Sequence, residues 1–381
     1  MEKLLNAPLL KSSAENLGLN QTKIAEKLGV SRAAVSKWFK GLSFPRPAEL
    51  LKLGKMLELS RSELVIHAVP EAEPVVAFRK RAGGKTTDKH LERAKNMGRF
   101  LEPLVELFDF DHYETPPQLK TPKTDYDYLQ GYVKKLREDI GVCETAELGF
   151  TDLISTFKKH QAVIIPTLWG AKSKHENALH VYLPKSHTTW VYLNLDSNVH
   201  DFKFWMAHEL GHVLTIELLE KGELELAEDF ADAFAGALLF PVTCAMEFFS
   251  SYTKANTDNG RIKLLMQAAE EHIISPISVY KELEKFAKHN SLAFAELPQN
   301  TLHGAVAKFN KKYPNLSDSL LTTKEPTAEH YFETVTEAFE TDFFKKLGEH
   351  IKASDAGANT VSNILNVSPM DAKAYHEVLA H

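Results

Sequence analysis

Residues His208-Glu209-Leu210-Gly211-His212 constrain what this chain can fold into more than any other stretch. On a helix, side chains four residues apart sit one turn on and about 40° round, so both imidazoles can reach one ion. The glutamate between them projects beside that ion, where its carboxylate can take a proton from water. The flanking sequence suits such a site. Residues 202–207 are mostly apolar and lack Gly and Pro, which predicts a buried helix entering the motif. Upstream, 189–194 has the β-branched and aromatic content of a strand, and Asp196, Ser197 and Asn198 end it as a turn.

Sixteen residues after His212, Glu228 opens a run that ends at Pro241. Its apolar positions 230, 231, 234, 235, 238 and 239 follow helical periodicity, and Pro241 stops it. Glu228 and Asp232 share a face of that helix. A catalytic zinc takes three protein ligands and keeps one open position, so Glu228 is the candidate third ligand beside His208 and His212. Asp232 is then placed to accept the second ring N–H of a ligating histidine and fix its tautomer. A purely structural site would prefer four closed ligands, often Cys, and would have no use for Glu209.

Taken together, these residues resemble the ImmA/IrrE family of gluzincin-type metallopeptidases. In that family a His-Glu-Leu-Gly-His helix precedes a Glu-x-x-Ala-Asn/Asp-x-Phe-Ala-x-x-Leu-Leu-x-Pro helix. Here the second pattern stands as Glu228, Ala231, Asp232, Phe234, Ala235, Leu238, Leu239 and Pro241, with Asp232 where many relatives carry Asn. The resemblance spans about 125–290 and is strongest over 202–241. It implies an α+β minimal gluzincin-like metallopeptidase domain, Zn2+ as cofactor, His208, His212 and Glu228 as ligands, and Glu209 as general base. The donor that would stabilise the oxyanion is not fixed by the motif; His175, His180 and Tyr252 are the candidates.

The N-terminal part carries a second pattern. Residues 21–41 read as helix, tight turn, helix. Ile24, Ala25 and Leu28 form the inward stripe of the first helix, Gly29 supplies the turn, and Ser31 is a natural N-cap for the second. Val35 and Trp38 then face the core, which leaves Arg32, Ala33, Ser36 and Lys37 outward, where a recognition helix meets base edges. A further amphipathic helix is expected over 50–59, after Pro45 and Pro47 break the chain. This order resembles the lambda-repressor-like (XRE) helix-turn-helix domain, an all-α unit in which the residue at Gln21 binds phosphate and the outward residues read bases. A double-stranded DNA operator is the implied partner, and a two-fold symmetric one would require a homodimer.

Charge divides the same way. Residues 1–55 hold ten Lys and Arg against four Asp and Glu, a net of +6, whereas the whole chain is −6, leaving −12 for the rest. A basic head on an acidic body fits DNA binding that weakens with salt. Only Cys143 and Cys244 occur, so neither a disulfide framework nor a thiolate cluster is indicated, and Cys244 reads as a small buried residue. With no run of about 18 apolar residues, the expectation is a cytoplasmic protein with no membrane partner.

The expected organisation is multidomain. Residues 1–66 form the helix-turn-helix domain, 67–124 a linker with a helical segment, 125–290 the peptidase-like domain, and 291–381 a mainly α region of open role. Within the linker, 69–87 reads as a solvated charge run, 88–110 as helical and 115–122 as a second loop. A helix is expected over 128–138, short strands over 162–169 and 179–183, and amphipathic helices near 328–352 and 357–379. The function this predicts is a DNA-binding regulator fused to a zinc endopeptidase. Its protein substrate would be a repressor in trans, or the chain itself, cut within 66–87. Two rivals remain at this level: an antitoxin or autorepressor whose second domain only binds a toxin or other partner, and a metal sensor that switches DNA affinity.

Overall fold

Two strands between positions 178 and 194 show why the second half of the chain forms a layered core. All seven residues of strand β6 (Thr188–Asn194) are buried, as are all six of β5 (Ala178–Leu183), so both faces of this sheet are covered. The computed structural model describes residues 2–5, 7–40, 43–57, 59, 64–68, 73–77, 88–110, 118–170, 176–322 and 326–381. These divide into two units, Met1–Glu73 and Pro74–His381.

In the first unit, β1 (Glu2–Leu5) pairs antiparallel with β2 (Val65–Ala68). Between them lie α1 (Ala7–Asn16), α2 (Gln21–Leu28), α3 (Arg32–Phe39) and α4 (Pro47–Leu57). The expected inward stripe of Ile24, Ala25 and Leu28 is buried, and it shares one core with Val35, Trp38, Leu50 and Leu53. Gly29 ends α2 with φ 69°, a left-handed conformation that favours glycine. The helix expected over 50–59 begins earlier, at Pro47, because proline's fixed φ suits the first helical position.

The second unit holds a four-stranded sheet in the order β3-β5-β6-β4, with β3 at Val75–Ala77 and β4 at Ala162–Thr167. β4 runs parallel to β6, and β5 runs antiparallel to it. Here the reading of 69–87 as a solvated linker is corrected at 75–77 alone. Val75–Ala77 is a strand, with Val76 and Ala77 buried, because β5 offers it an open hydrogen-bonding edge; residues 69–72 and 78–87 lie outside the described residues. The expected helix over 88–110 is α5 (Asp88–Leu101) followed by a 3-10 turn (Glu102–Leu107). Next come α6 (Tyr126–Ile140) and α7 (Phe150–Lys159) before β4.

After β6, Asn198 caps α8 (Val199–Leu214) by accepting from the His200 amide. α9 (Ile216–Glu220) and α10 (Leu224–Leu239) follow, then α11 (Val242–Lys254), α12 (Asp258–His272) and α13 (Pro276–His289). Helices α14 (Gln299–Asn310) to α19 (Pro369–Leu379) complete the unit: α15 is Leu316–Leu321, α16 Ala328–Phe339, α17 Phe343–Ser354 and α18 Ala358–Leu365. The stretch read as one amphipathic segment near 328–352 is two helices, broken where Glu340 adopts φ 46°. That near 357–379 breaks likewise at Asn366, φ 55°.

Residues 291–381, set apart in the sequence reading, share the main apolar core with residues 76–290. The Tyr331 hydroxyl donates to the Pro166 carbonyl at 2.6 Å and Thr341 to that of Ile164 at 2.8 Å, so side chains from this region satisfy the edge of β4. Tyr192 and Trp169 donate in turn to the carbonyls of Ile364 (2.9 Å) and Leu365 (2.7 Å). Among the described residues no single helix is long and apolar enough to cross a membrane; α10 and α11 pass that test only together, and they bend by 71°.

Candidate metal centre and nucleic-acid interface

Helices α8 and α10 meet at a point set by Gly211. A Cβ there would lie 2.9 Å from the Ala231 Cα and 3.2 Å from Phe234, so only glycine lets the two backbones approach this closely. That approach carries Glu228 and Asp232 of α10 up to His208 and His212 of α8. One ligand atom from each of His208, His212 and Glu228 falls within 4.8 Å of the others.

The donor set converges. The two Nε2 atoms are 3.1 Å apart, and the Glu228 carboxylate lies 3.5 Å from that of His208 and 3.4 Å from that of His212. The Asp232 carboxylate can only accept, so Nδ1–H of His208 donates to it at 3.0 Å. Nε2 of His208 is thereby turned toward His212 and Glu228. Two facing imidazole nitrogens with a carboxylate between them form an acceptor-rich pocket that suits a divalent cation. The end of α8 is held from outside the motif. Gln118 donates to the Val213 carbonyl at 2.9 Å and accepts from the Ile216 amide at 3.1 Å.

Burial sets the electrostatics. His208, Glu209 and His212 are each 2% exposed or less. Burial opposes charge on His208, but hydrogen bonds to Asp232 and Glu228 outweigh it and lift the imidazole to about 9. Burial lowers His212. Burial also pushes the Glu209 carboxyl up to about 8, against the pull of His208. For Glu228 burial acts upward too, yet the hydrogen bonds to both histidines hold it well below the usual carboxylate range.

His180 completes the surroundings. This fully buried β5 residue places Nδ1 3.8 Å from the Glu209 carboxylate, and its ring packs edge-on to His212 with centroids 5.6 Å apart. Among the described residues neither of its ring nitrogens has a hydrogen-bond partner, nor has Oε2 of Glu209. Of the oxyanion candidates among the described residues, His180 is brought to the site and Tyr252 is not. Tyr252 donates instead to the Ala295 carbonyl at 2.8 Å in a separate aromatic cluster, and His175 lies outside the described residues. Strand alternation put His180 on the same face as Ala178 and Tyr182, but no spacing rule ties that face to a helix that begins at 199.

In the first unit, Ser31 caps α3, its hydroxyl accepting from the Ala34 amide at 3.2 Å. Val35 and Trp38 are buried; Ser31, Arg32, Ala33 and Lys37 are exposed, and Ser36 is half-buried. Gln21 is the first residue of α2 and half-buried, beside the cap that Asn20 forms with the Lys23 amide at 2.9 Å. α3 therefore offers the outward face that the sequence predicts for base contact.

A family model described as Helix-turn-helix matches residues 10–64. No curated protein and no solved structure matches the chain. The resemblance over 125–290 to ImmA/IrrE metallopeptidases therefore stands on the motif residues alone. The family match, together with the capped two-helix unit and its exposed α3 face, gives this chain the helix-turn-helix DNA-binding domain of a transcriptional regulator.

Proposed function

We propose that this chain is a DNA-binding regulator whose second unit is a zinc-dependent endopeptidase acting on a regulatory protein. The observation that carries the reading is the meeting of His208, His212 and Glu228 beside a buried Glu209, with Asp232 orienting His208. His208, His212 and Glu228 would hold the ion, which when bound supplies Lewis acidity to a peptide carbonyl. Glu209 takes a proton from the attacking water and hands it to the leaving amine. Asp232 keeps His208 in the tautomer that ligates. The substrate is an extended stretch of protein, either a repressor in trans or this chain in cis.

Incubation of the zinc-loaded protein with candidate repressors and alone, with and without chelator, tests this. Cleavage that chelator and Glu209→Gln both abolish supports the reading; equal cleavage by wild type and Glu209→Gln sinks it.

One observation favours a second reading, a regulator whose metal centre is a non-catalytic partner- or ligand-binding module. Glu209 is 2% exposed while the Glu228 side chain is 23% exposed, so the base is shielded where the ligand beside it is open. That reading predicts zinc-dependent binding of a co-encoded partner, such as a toxin, with no cleavage.

A further inference from the structure

The sheet reaches Glu209 through one residue, His180 of β5. Its two edge strands are β3 and β4, and β4 carbonyls are already taken by Tyr331 and Thr341. The outer edge of β5 is thus the hydrogen-bonding edge that adjoins the metal centre, because β5 carries His180 against Glu209. β3 occupies it, with Val75 opposite Tyr182, Val76 opposite Val181 and Ala77 opposite His180. Paired residues share a face, so the Ala77 methyl lies on the His180 side of the sheet. There it packs with Leu219 and Ala227, and Ala227 immediately precedes the ligand Glu228. Val76 points to the opposite face, into the core beneath α5.

Resting on the reading of this centre as a peptidase, we infer that Val75–Ala77 is an internal strap seated where an extended substrate strand would bind. Pairing along β5 is the general way a sheet edge captures an extended peptide: the backbone supplies affinity and alternate side chains supply selection. The position opposite His180 is closed off by Ala227, so it takes a small residue. The position two before it, filled here by Val75, packs against the same apolar cluster and takes an apolar residue. The substrate class is therefore an extended segment with an apolar residue and a small residue two apart, as in Val75-Val76-Ala77. Such a segment reaches Glu209 only when the strap leaves.

Three residues of pairing make a strap that can leave. Its seat is a close fit at one point, since a Cβ on Gly98 of α5 would lie 2.5 Å from the Pro74 Cβ and 3.0 Å from Val181. Hydrogen exchange on the full chain tests displaceability. The β3–β5 amides are expected to exchange at least about tenfold faster than those between β5 and β6, as a locally opening element does. Equal protection of both ladders would make β3 a fixed core strand and overturn the inference. Val76→Asp, remote from the metal residues, is expected to speed removal of zinc by chelator about tenfold and to deprotect the β5 edge. Unchanged removal with a deprotected edge would show that the strap does not cover the centre. Gly98→Ala, which crowds Pro74, serves if the aspartate variant fails to fold. An acetylated Glu-Pro-Val-Val-Ala peptide should protect the freed edge in either variant, and no protection would argue against a peptide-binding edge. Wild-type protein that takes up no zinc would remove the peptidase reading, while exchange at β3 would still report on the strap.

Discussion

Gly211 illustrates what one residue decides and how little of it shows in the sequence. The motif spacing alone places His208 and His212 on one helical face. Gly211, between them, gave no sign that it would lie 2.9 Å (by an added Cβ) from the Ala231 backbone, because that contact joins two helices. Gly211→Val is expected to force α8 and α10 apart, costing about 1–3 kcal/mol in denaturant melts, as overpacking does. Because Glu228 sits on α10, zinc affinity should fall with it. A variant with an unchanged melt and full zinc affinity would show that the close approach does not build the site. His180 was harder to foresee. It belongs to a strand legible only as a short segment over 179–183, and its meeting with Glu209 depends on how α8 packs on β5.

At the scale of elements, periodicity served the longer segments. α2, α3, α6, α8 and α10 were legible because their apolar positions repeat over two or more turns and capping residues mark several of their ends. β3 was not, since three residues cannot display a period and its partner β5 lies about a hundred residues on. The turn at Glu340 was also hidden, because nothing in a glutamate announces a left-handed conformation. α3 carries its own prediction. Arg32 and Lys37 are exposed on its outward face, so replacing both with alanine should weaken operator binding. If both meet phosphates, the slope of log affinity against log salt should shrink by about 2. An unchanged slope with lost sequence discrimination would make them base readers instead, and no change at all would move the interface off α3.

Across the whole molecule, the region 291–381 is part of the fold that holds the centre. His200, at the start of α8, packs edge-on between Phe309 and Tyr313, with ring centroids 4.7 and 4.4 Å away. Asn198 donates to the Asn310 carbonyl at 3.1 Å just before it. The sequence left this region's role open because its apolar positions name no partner. Burial lowers His200 to about 4, below its ordinary value near 6.5. The unfolded chain therefore takes up this proton first as pH falls. The contribution is fully present above pH 6.5 and is lost between 6.5 and 4. Melts of wild type and His200→Gln over that range should show the variant losing less stability on acidification. Parallel curves would mean that His200 does not supply the slope.

The account rests on three side chains from two helices sharing one ion, and metal content per chain reports on that directly. Mass spectrometry of the intact protein under native conditions should find one zinc in wild type and none in His212→Ala, with both retaining the same helical content. Wild type without zinc, or a variant that keeps it, would contradict the centre on which the functional reading is built.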